Sequence, residues 1–364
     1  MHITKRIIDE IESTLDMKYN ICVPDNSWDL FMTPLTDQQG NINFEEFETR
    51  QQVSIEIINQ ILDVHAKKEV VRFLAQLVNL EAKIQELQPW VRDHVVHAIN
   101  TFVLGVFILE NVEFPRMRKT RYGYPFMWKL CGPTHDLGYP IEIGYNIQKI
   151  FIDEMSGILS ELNSNSPLIK YETYPEHLDV LSEGLDSNQL IQERLNEWDL
   201  EIDVENYYEW LVSKNKTDHG VISALSQLKV IEALYYSKNP KRESRDIVIK
   251  KHNWNQANFN LDIITSSAAL FIHNIDLGYS GFSNKISFNR APLAFLLFLC
   301  YTLQEWDRYA ENRPVYSGNE FGIECEKKRV SVQVPEDIEE KIISTLNQRL
   351  SGLVVHVNGN IAIS

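Results

Sequence analysis

The stretch WVRDHVVHAINTFVLGVFILE, residues 90–110, is long enough for about five helical turns and apolar on most of its faces. A helix of that kind cannot lie on a surface; other elements have to wrap it. The chain is therefore committed to a helical core built around this segment. A second run, APLAFLLFLCYTL from 291 to 303, is more apolar still. It falls short of the about 20 residues that cross a bilayer and is predicted to be another core helix.

Further helical spacing leads into this core. Residues 53–88 carry it in VSIEIINQILDVHA and VVRFLAQLVNLEAKIQEL, and MHITKRIIDEIESTLD alternates charges with Ile7, Ile8, Ile11 and Leu15. The N-terminal pattern is that of an amphipathic surface helix and not of a signal peptide, so a cytoplasmic location is expected. Between 182 and 210 the chain holds nine acids against the single base Arg194. That excursion predicts a peripheral insertion, placed at about 160–215. After 314 the period changes: FGIECE, KRVSVQV, GLVVHV and NIAIS alternate like strands, and a helix opened by Pro335 lies between them. The expected organisation is an N-terminal helical segment (1–89), a helical domain (90–313) and a small α+β appendage (314–364). The fold class is mainly α.

Charge narrows the function. Fifty-one acidic side chains against 35 basic ones give a formal charge of -16, which argues against a general binder of nucleic acid or anionic membrane. The cysteines Cys22, Cys131, Cys300 and Cys325 are scattered singly, with no CxxC pair, and read as reduced thiols.

The chemistry rests on the histidines. His94 and His97 are three apart, hence on one face of the central helix, and burying imidazoles there costs free energy unless their nitrogens find partners. The segment CGPTHDLGYP places His135 beside Asp136. His219 follows Asp218 at the start of another apolar helix, which Asp218 is expected to cap, and His273 lies in SSAALFIHNID. Each alone is weak evidence. Together, several apolar helices each carry an inward-looking imidazole and one carries a carboxylate, the ligand types of borderline divalent metals. Neighbours on a helix point about 100° apart, so the doublet converges on one ion only where a helix ends, an ending assigned to Gly138 and Pro140.

RDHVVHAINTFVLG, THDLGYP, DHGVISAL, AALFIHN and PLAFLLFLCYTLQEWDR occur in an order and spacing that resemble the HD-domain superfamily of metal-dependent phosphohydrolases, over about 90–309. The resemblance implies an HD-type helical domain. It makes His97, His135, Asp136, His219 and His273 metal ligands, with Asp136 shared between one or two divalent ions (Mn, Fe, Co, Ni, Zn or Mg). Where the family reads Leu-Cys-Asp, this chain reads FLCYTLQEW, so Tyr301 stands at the last carboxylate. Four neutral histidines and Asp136 then supply one negative charge, so a second ion is expected to be weak, while His97, His135 and Asp136 can still hold a single ion with open positions. Glu305 is a candidate substitute. Pro133, two residues before His135, is a further departure.

The implied reaction is hydrolysis of a phosphomonoester or phosphodiester, a nucleotide being the expected small-molecule partner. Asp136 and His94 are the candidates for chemistry, with Arg92 and Lys129 as cations in the matched segments. In RMRKTR, Arg116, Arg118, Lys119 and Arg121 are candidates to hold phosphates. No membrane partner is expected, and assembly into a homo-oligomer is left open. The alternative is a degenerate member that binds a nucleotide or a partner protein without turnover.

Overall fold

The apolar segment forms helix α4, His94–Asn111, and every residue from His94 to Ile108 is buried. Its length and composition would suit a membrane span, but here the packed interior accounts for its apolar faces. The structure is a computed structural model that describes residues 1–33, 44–62, 94–117, 123–147, 180–181, 185–235, 259–308 and 314–363. The expected helix beyond residue 62 and Arg92, Arg118, Lys119 and Arg121 lie outside the described residues, as does residues 160–179 of the expected insertion.

Helices α1 (Ile3–Tyr19) and α3 (Phe44–Leu62) pack on α4, and α2 (Asp25–Phe31) packs on α3. The predicted stripe of α1 is the buried one: Ile7, Ile8, Ile11 and Leu15 all face inward. Helix α5 (Gly123–Cys131) leads into a turn over 132–138, and residues 139–147 are helical again. Short strands β1 (Val180–Leu181) and β2 (Leu185–Asp186) precede α6 (Ser187–Glu197), α7 (Val204–Ser213) and α8 (His219–Tyr235). A π-helical turn, Phe259–Ile263, runs into α9 (Ile264–Ile272). Strand β3 (Ile286–Ser287) then leads to α10 (Pro292–Leu303), the second apolar run.

The C-terminal part alternates as its period-two pattern requires. Strands β4 (Gly322–Glu326) and β5 (Arg329–Gln333) pair antiparallel. Helix α11 (Glu336–Arg349) and the short β6 (Leu350–Ser351) follow, then β7 (Val354–Val357) parallel to β5 and β8 (Asn360–Ile363) antiparallel to β7. The Asn-Gly turn between β7 and β8 places Asn358 and Gly359 at positive φ, 48° and 84°, the backbone a tight hairpin demands. Val330, Val332, Val355 and Val357 face one hydrophobic cluster that also contains residues of α1, α3, α4, α9 and α10. A parallel β3–β6 pair joins the appendage to the helical part.

The acidic stretch differs from its expected peripheral place. Ile191, Leu195, Trp198, Leu200, Ile202, Tyr207 and Leu211 are core residues, and α6 packs along α9. Its acids occupy the outer faces of helices whose inner faces are apolar, so the average charge concealed the helical period.

Candidate metal centre

Four chain segments deliver imidazoles to one buried place. The first turn of α4 carries His94 and His97, the 132–138 turn carries His135 and Asp136, α8 begins at His219, and His273 directly follows α9. Helix α5 ends at Cys131, before the doublet and not after it as the sequence reading held. Gly132 and Pro133 therefore lie in the turn and not inside a helix; Gly138 closes the turn, and Pro140 is the second residue of the next helical stretch.

The turn is clamped against α8. Gly138 N–H donates to Ser223 Oγ at 2.8 Å, and Ser223 Oγ–H donates to the His135 carbonyl at 2.7 Å. No side chain fits at Gly138, because a Cβ there would fall 2.5 Å from the His219 carbonyl oxygen. Asp218 caps α8 as expected, its Oδ1 accepting from Gly220 N–H at 2.8 Å. Tyr207 O–H donates to its other oxygen. Gly220 lets α8 approach α9, a Cβ there lying 2.9 Å from the Leu270 carbonyl and 3.2 Å from the His273 ring.

The imidazoles form a chain of ring contacts: His97–His135 at 4.9 Å between centroids, His135–His273 at 5.4 Å and His273–His219 at 5.3 Å. Asp136 lies among them. Its Oδ2 is 3.5 Å from His135 Nε2 and 3.8 Å from His97 Nε2, whereas Oδ1 is 3.3 Å from His219 Nε2. Two groups share this carboxylate, His97–His135–Asp136 and Asp136–His219–His273, each with ligand atoms within 4.8 Å of one another.

The outer nitrogens fix the inner ones. His135 Nδ1 is 2.7 Å from the Gly132 carbonyl and His273 Nδ1 is 2.6 Å from the Leu270 carbonyl; His97 Nδ1 is hydrogen-bonded to Gln304 Oε1. A carbonyl can only accept, so Nδ1 carries the proton and the Nε2 lone pair faces inward. Among the described residues the Nε2 atoms of His97, His135 and His273 are buried without a hydrogen bond. Leaving such a group unsatisfied costs about 1–3 kcal/mol. Three lone pairs converging beside a carboxylate fit a borderline divalent ion, as does the arrangement of outer hydrogen bonds that orients them. The buried cluster can hold a metal ion.

Electrostatics agree with neutral ligands. Burial holds His97 well below the ordinary imidazole range, helped by the nearby positive charge of Arg308. Burial likewise depresses His273 and His135, and brings His94 to about 4. For Asp136 burial acts upward, but His135, His94 and His219 outweigh it and keep the carboxyl ionised, well below its usual range. His219 is the exception. Burial acts downward on it, yet the carboxylates Asp136 and Glu142 raise it well above the ordinary value.

His94 does not point its Nδ1 outward like the others; that atom lies 2.6 Å from Asp136 Oδ2, and the ring lies against Tyr139 with centroids 3.5 Å apart and planes tilted by 38°. Tyr301 packs edge-on against His97, His135 and His273, at 5.6, 5.8 and 5.3 Å. The phenol thus occupies the wall of the cluster. Glu305 faces Arg308 and Lys341, each at 3.8 Å, and does not stand in for a ligand. Lys129 is buried with Nζ donating to the Tyr19 carbonyl at 2.7 Å. Arg116 is exposed and lines a cleft of about 520 Å³ with Thr265 and Pro292. That cleft lies at the N-terminal ends of α9 and α10, about 12 Å along α9 from His273 at about 1.5 Å per residue.

Several residues of the site escaped the sequence reading. Gln304 and Arg308 lie within the matched segment ending QEWDR, and Tyr139 lies in THDLGYP, so their positions carried a signal although no role was assigned. Arg308 is buried, with its guanidinium 6.0 Å from the Tyr301 ring centroid. Glu142 carried no signal; its Oε2 accepts from the backbone N–H of His219 at 2.8 Å and is 3.0 Å from His219 Nδ1. Comparison with protein families, curated proteins and solved structures gives no match.

Proposed function

We propose that this chain is a metal-dependent phosphohydrolase of the HD type, acting on a phosphomonoester or phosphodiester, with a nucleotide as the favoured substrate class. The observation that carries this reading is the pair of ligand groups sharing Asp136, with oriented Nε2 atoms facing one buried place. The imidazole-rich donor set favours Fe, Co, Ni or Zn over Mg, which prefers oxygen, and Asp136 keeps Mn admissible. When bound, a divalent ion would activate water and polarise a phosphoryl oxygen.

The chain's own residues divide the remaining work. His97, His135 and His273 would hold the ion or ions as neutral donors, His219 would join them by giving up its proton, and Asp136 would supply negative charge to both groups. His94 is neutral at pH 7, with Nδ1 committed to Asp136. That leaves its Nε2 as the ring's proton-accepting atom, in the position of a general base or acid. Arg308 brings positive charge to the same place, suited to a phosphate oxygen. The test is a screen of nucleotides, cyclic nucleotides and aryl phosphodiesters with Mn²⁺ or Co²⁺. Metal-dependent turnover that vanishes in Asp136→Ala supports the reading.

Tyr301 supports a second reading, a binding module without turnover. Its ring fills the wall where the resemblance places a carboxylate, and a neutral phenol donates poorly to a divalent ion. Binding of a nucleotide without hydrolysis at saturating Mn²⁺ would favour this reading.

A further inference from the structure

The two ligand groups differ in what stands behind their imidazoles. In the first, His97 is backed by the amide oxygen of Gln304 and His135 by the Gly132 carbonyl, both neutral acceptors. In the second, His273 is backed by the Leu270 carbonyl, but His219 is backed by the carboxylate of Glu142. Glu142 is also fixed by a bond from the His219 backbone N–H at 2.8 Å, so its oxygen stays in line with the ring. A carboxylate behind an imidazole makes its other nitrogen a stronger donor than a neutral acceptor does. Asp136 alone gives the inner ligand set one negative charge, and Glu142 adds a second charge one hydrogen bond away.

Resting on the metal-site reading above, we propose that Glu142 is a positioning residue that makes the two groups unequal: the Asp136–His219–His273 group binds its ion the more tightly, through His219. Among the described residues the first group is backed only by a neutral amide and a neutral carbonyl, and the charge nearest His97 from outside the ligand set is the positive one of Arg308. This reverses the expectation from the sequence, in which His97, His135 and Asp136 keep the single ion: the weak ion becomes that of the His97–His135 group.

The test is calorimetric titration of metal-free protein with Mn²⁺, comparing wild type with Glu142→Gln. Glutamine keeps an acceptor oxygen for both His219 N–H groups and removes only the charge. The tighter of two dissociation constants is expected to rise about 10- to 100-fold and the weaker to stay within about threefold. In His219→Ala, where one group is gone, adding Glu142→Gln is expected to change nothing further. Unchanged constants in Glu142→Gln, or equal weakening of both, would overturn the inference while leaving the metal centre in place. A wild type that binds no Mn²⁺, Co²⁺ or Zn²⁺ would overturn the metal-site reading itself.

Discussion

Replacing Gly138 by alanine tests whether the doublet turn is held against α8 as described. An added Cβ falls 2.5 Å from the His219 carbonyl oxygen and 2.6 Å from Ile222 Cβ, whereas carbon atoms in contact sit about 3.5–4.0 Å apart. Neither neighbour is the end of a flexible chain. The first turn of α8 must therefore retreat by roughly 1 Å, and overpacking of this kind costs about 1–3 kcal/mol. The retreat also carries His219 away from Asp136, now 3.3 Å apart, so Mn²⁺ affinity is expected to fall by about tenfold or more. Gly144→Ala is the control. It is exposed in the same helical stretch with no heavy atom within 4 Å of an added Cβ, and should stabilise by about 0.5–1 kcal/mol. Urea unfolding in EDTA reads the steric cost, and a Mn²⁺ titration reads the displacement of His219. A Gly138→Ala protein as stable as wild type, with unaltered Mn²⁺ affinity, would refute the close packing of turn and helix.

Gln304→Leu should weaken metal binding about 10- to 100-fold, because Gln304 orients His97 with its side-chain oxygen while donating to the Trp306 carbonyl; competition with a coloured chelator measures it. Tyr301→Asp brings a carboxylate beside three imidazoles, so thermal stabilisation by Mn²⁺ should grow, and a shift no larger than wild type's would contradict the charge argument. Asp307→Asn should cost about 3–5 kcal/mol at pH 7, since it strips the buried Arg50 of its ionic partner at 3.1 Å. Burial acts upward on Asp307, but Arg50 and His2 hold its carboxyl below the usual range. Its contribution is therefore present above the unfolded value of about 3.9 and lost as pH falls through the lower folded value. Urea midpoints of wild type and Asp307→Asn should thus differ at pH 7 and converge in that acid window.

The clustered imidazoles were legible because His94, His97, His219 and His273 stand in or at the ends of apolar helical segments, and His135 and Asp136 stand side by side. The C-terminal strands were legible through their period of two, and the Asn358–Gly359 turn through its residue types. What backs the ligands was not legible. Glu142 meets His219 across 77 residues and Gln304 meets His97 across 207, and a lone acid or amide in sequence looks the same whether it is solvated or paired. The doublet turn was misplaced by one helix end, since Gly132–Pro133 and Gly138–Pro140 are both valid stops and only packing selects between them. For α6 and α7 the charge count overrode the spacing of Ile191, Leu195, Tyr207 and Leu211, residues that are buried.

The central claim is that Asp136 and four imidazoles form a metal centre, and anomalous diffraction from crystals grown with Mn²⁺ tests it most directly. Density is expected between His97, His135 and Asp136 and between Asp136, His219 and His273, with the second stronger at limiting Mn²⁺, and none in Asp136→Ala. Anomalous density elsewhere on the protein, or none at these groups in saturating Mn²⁺, would contradict it.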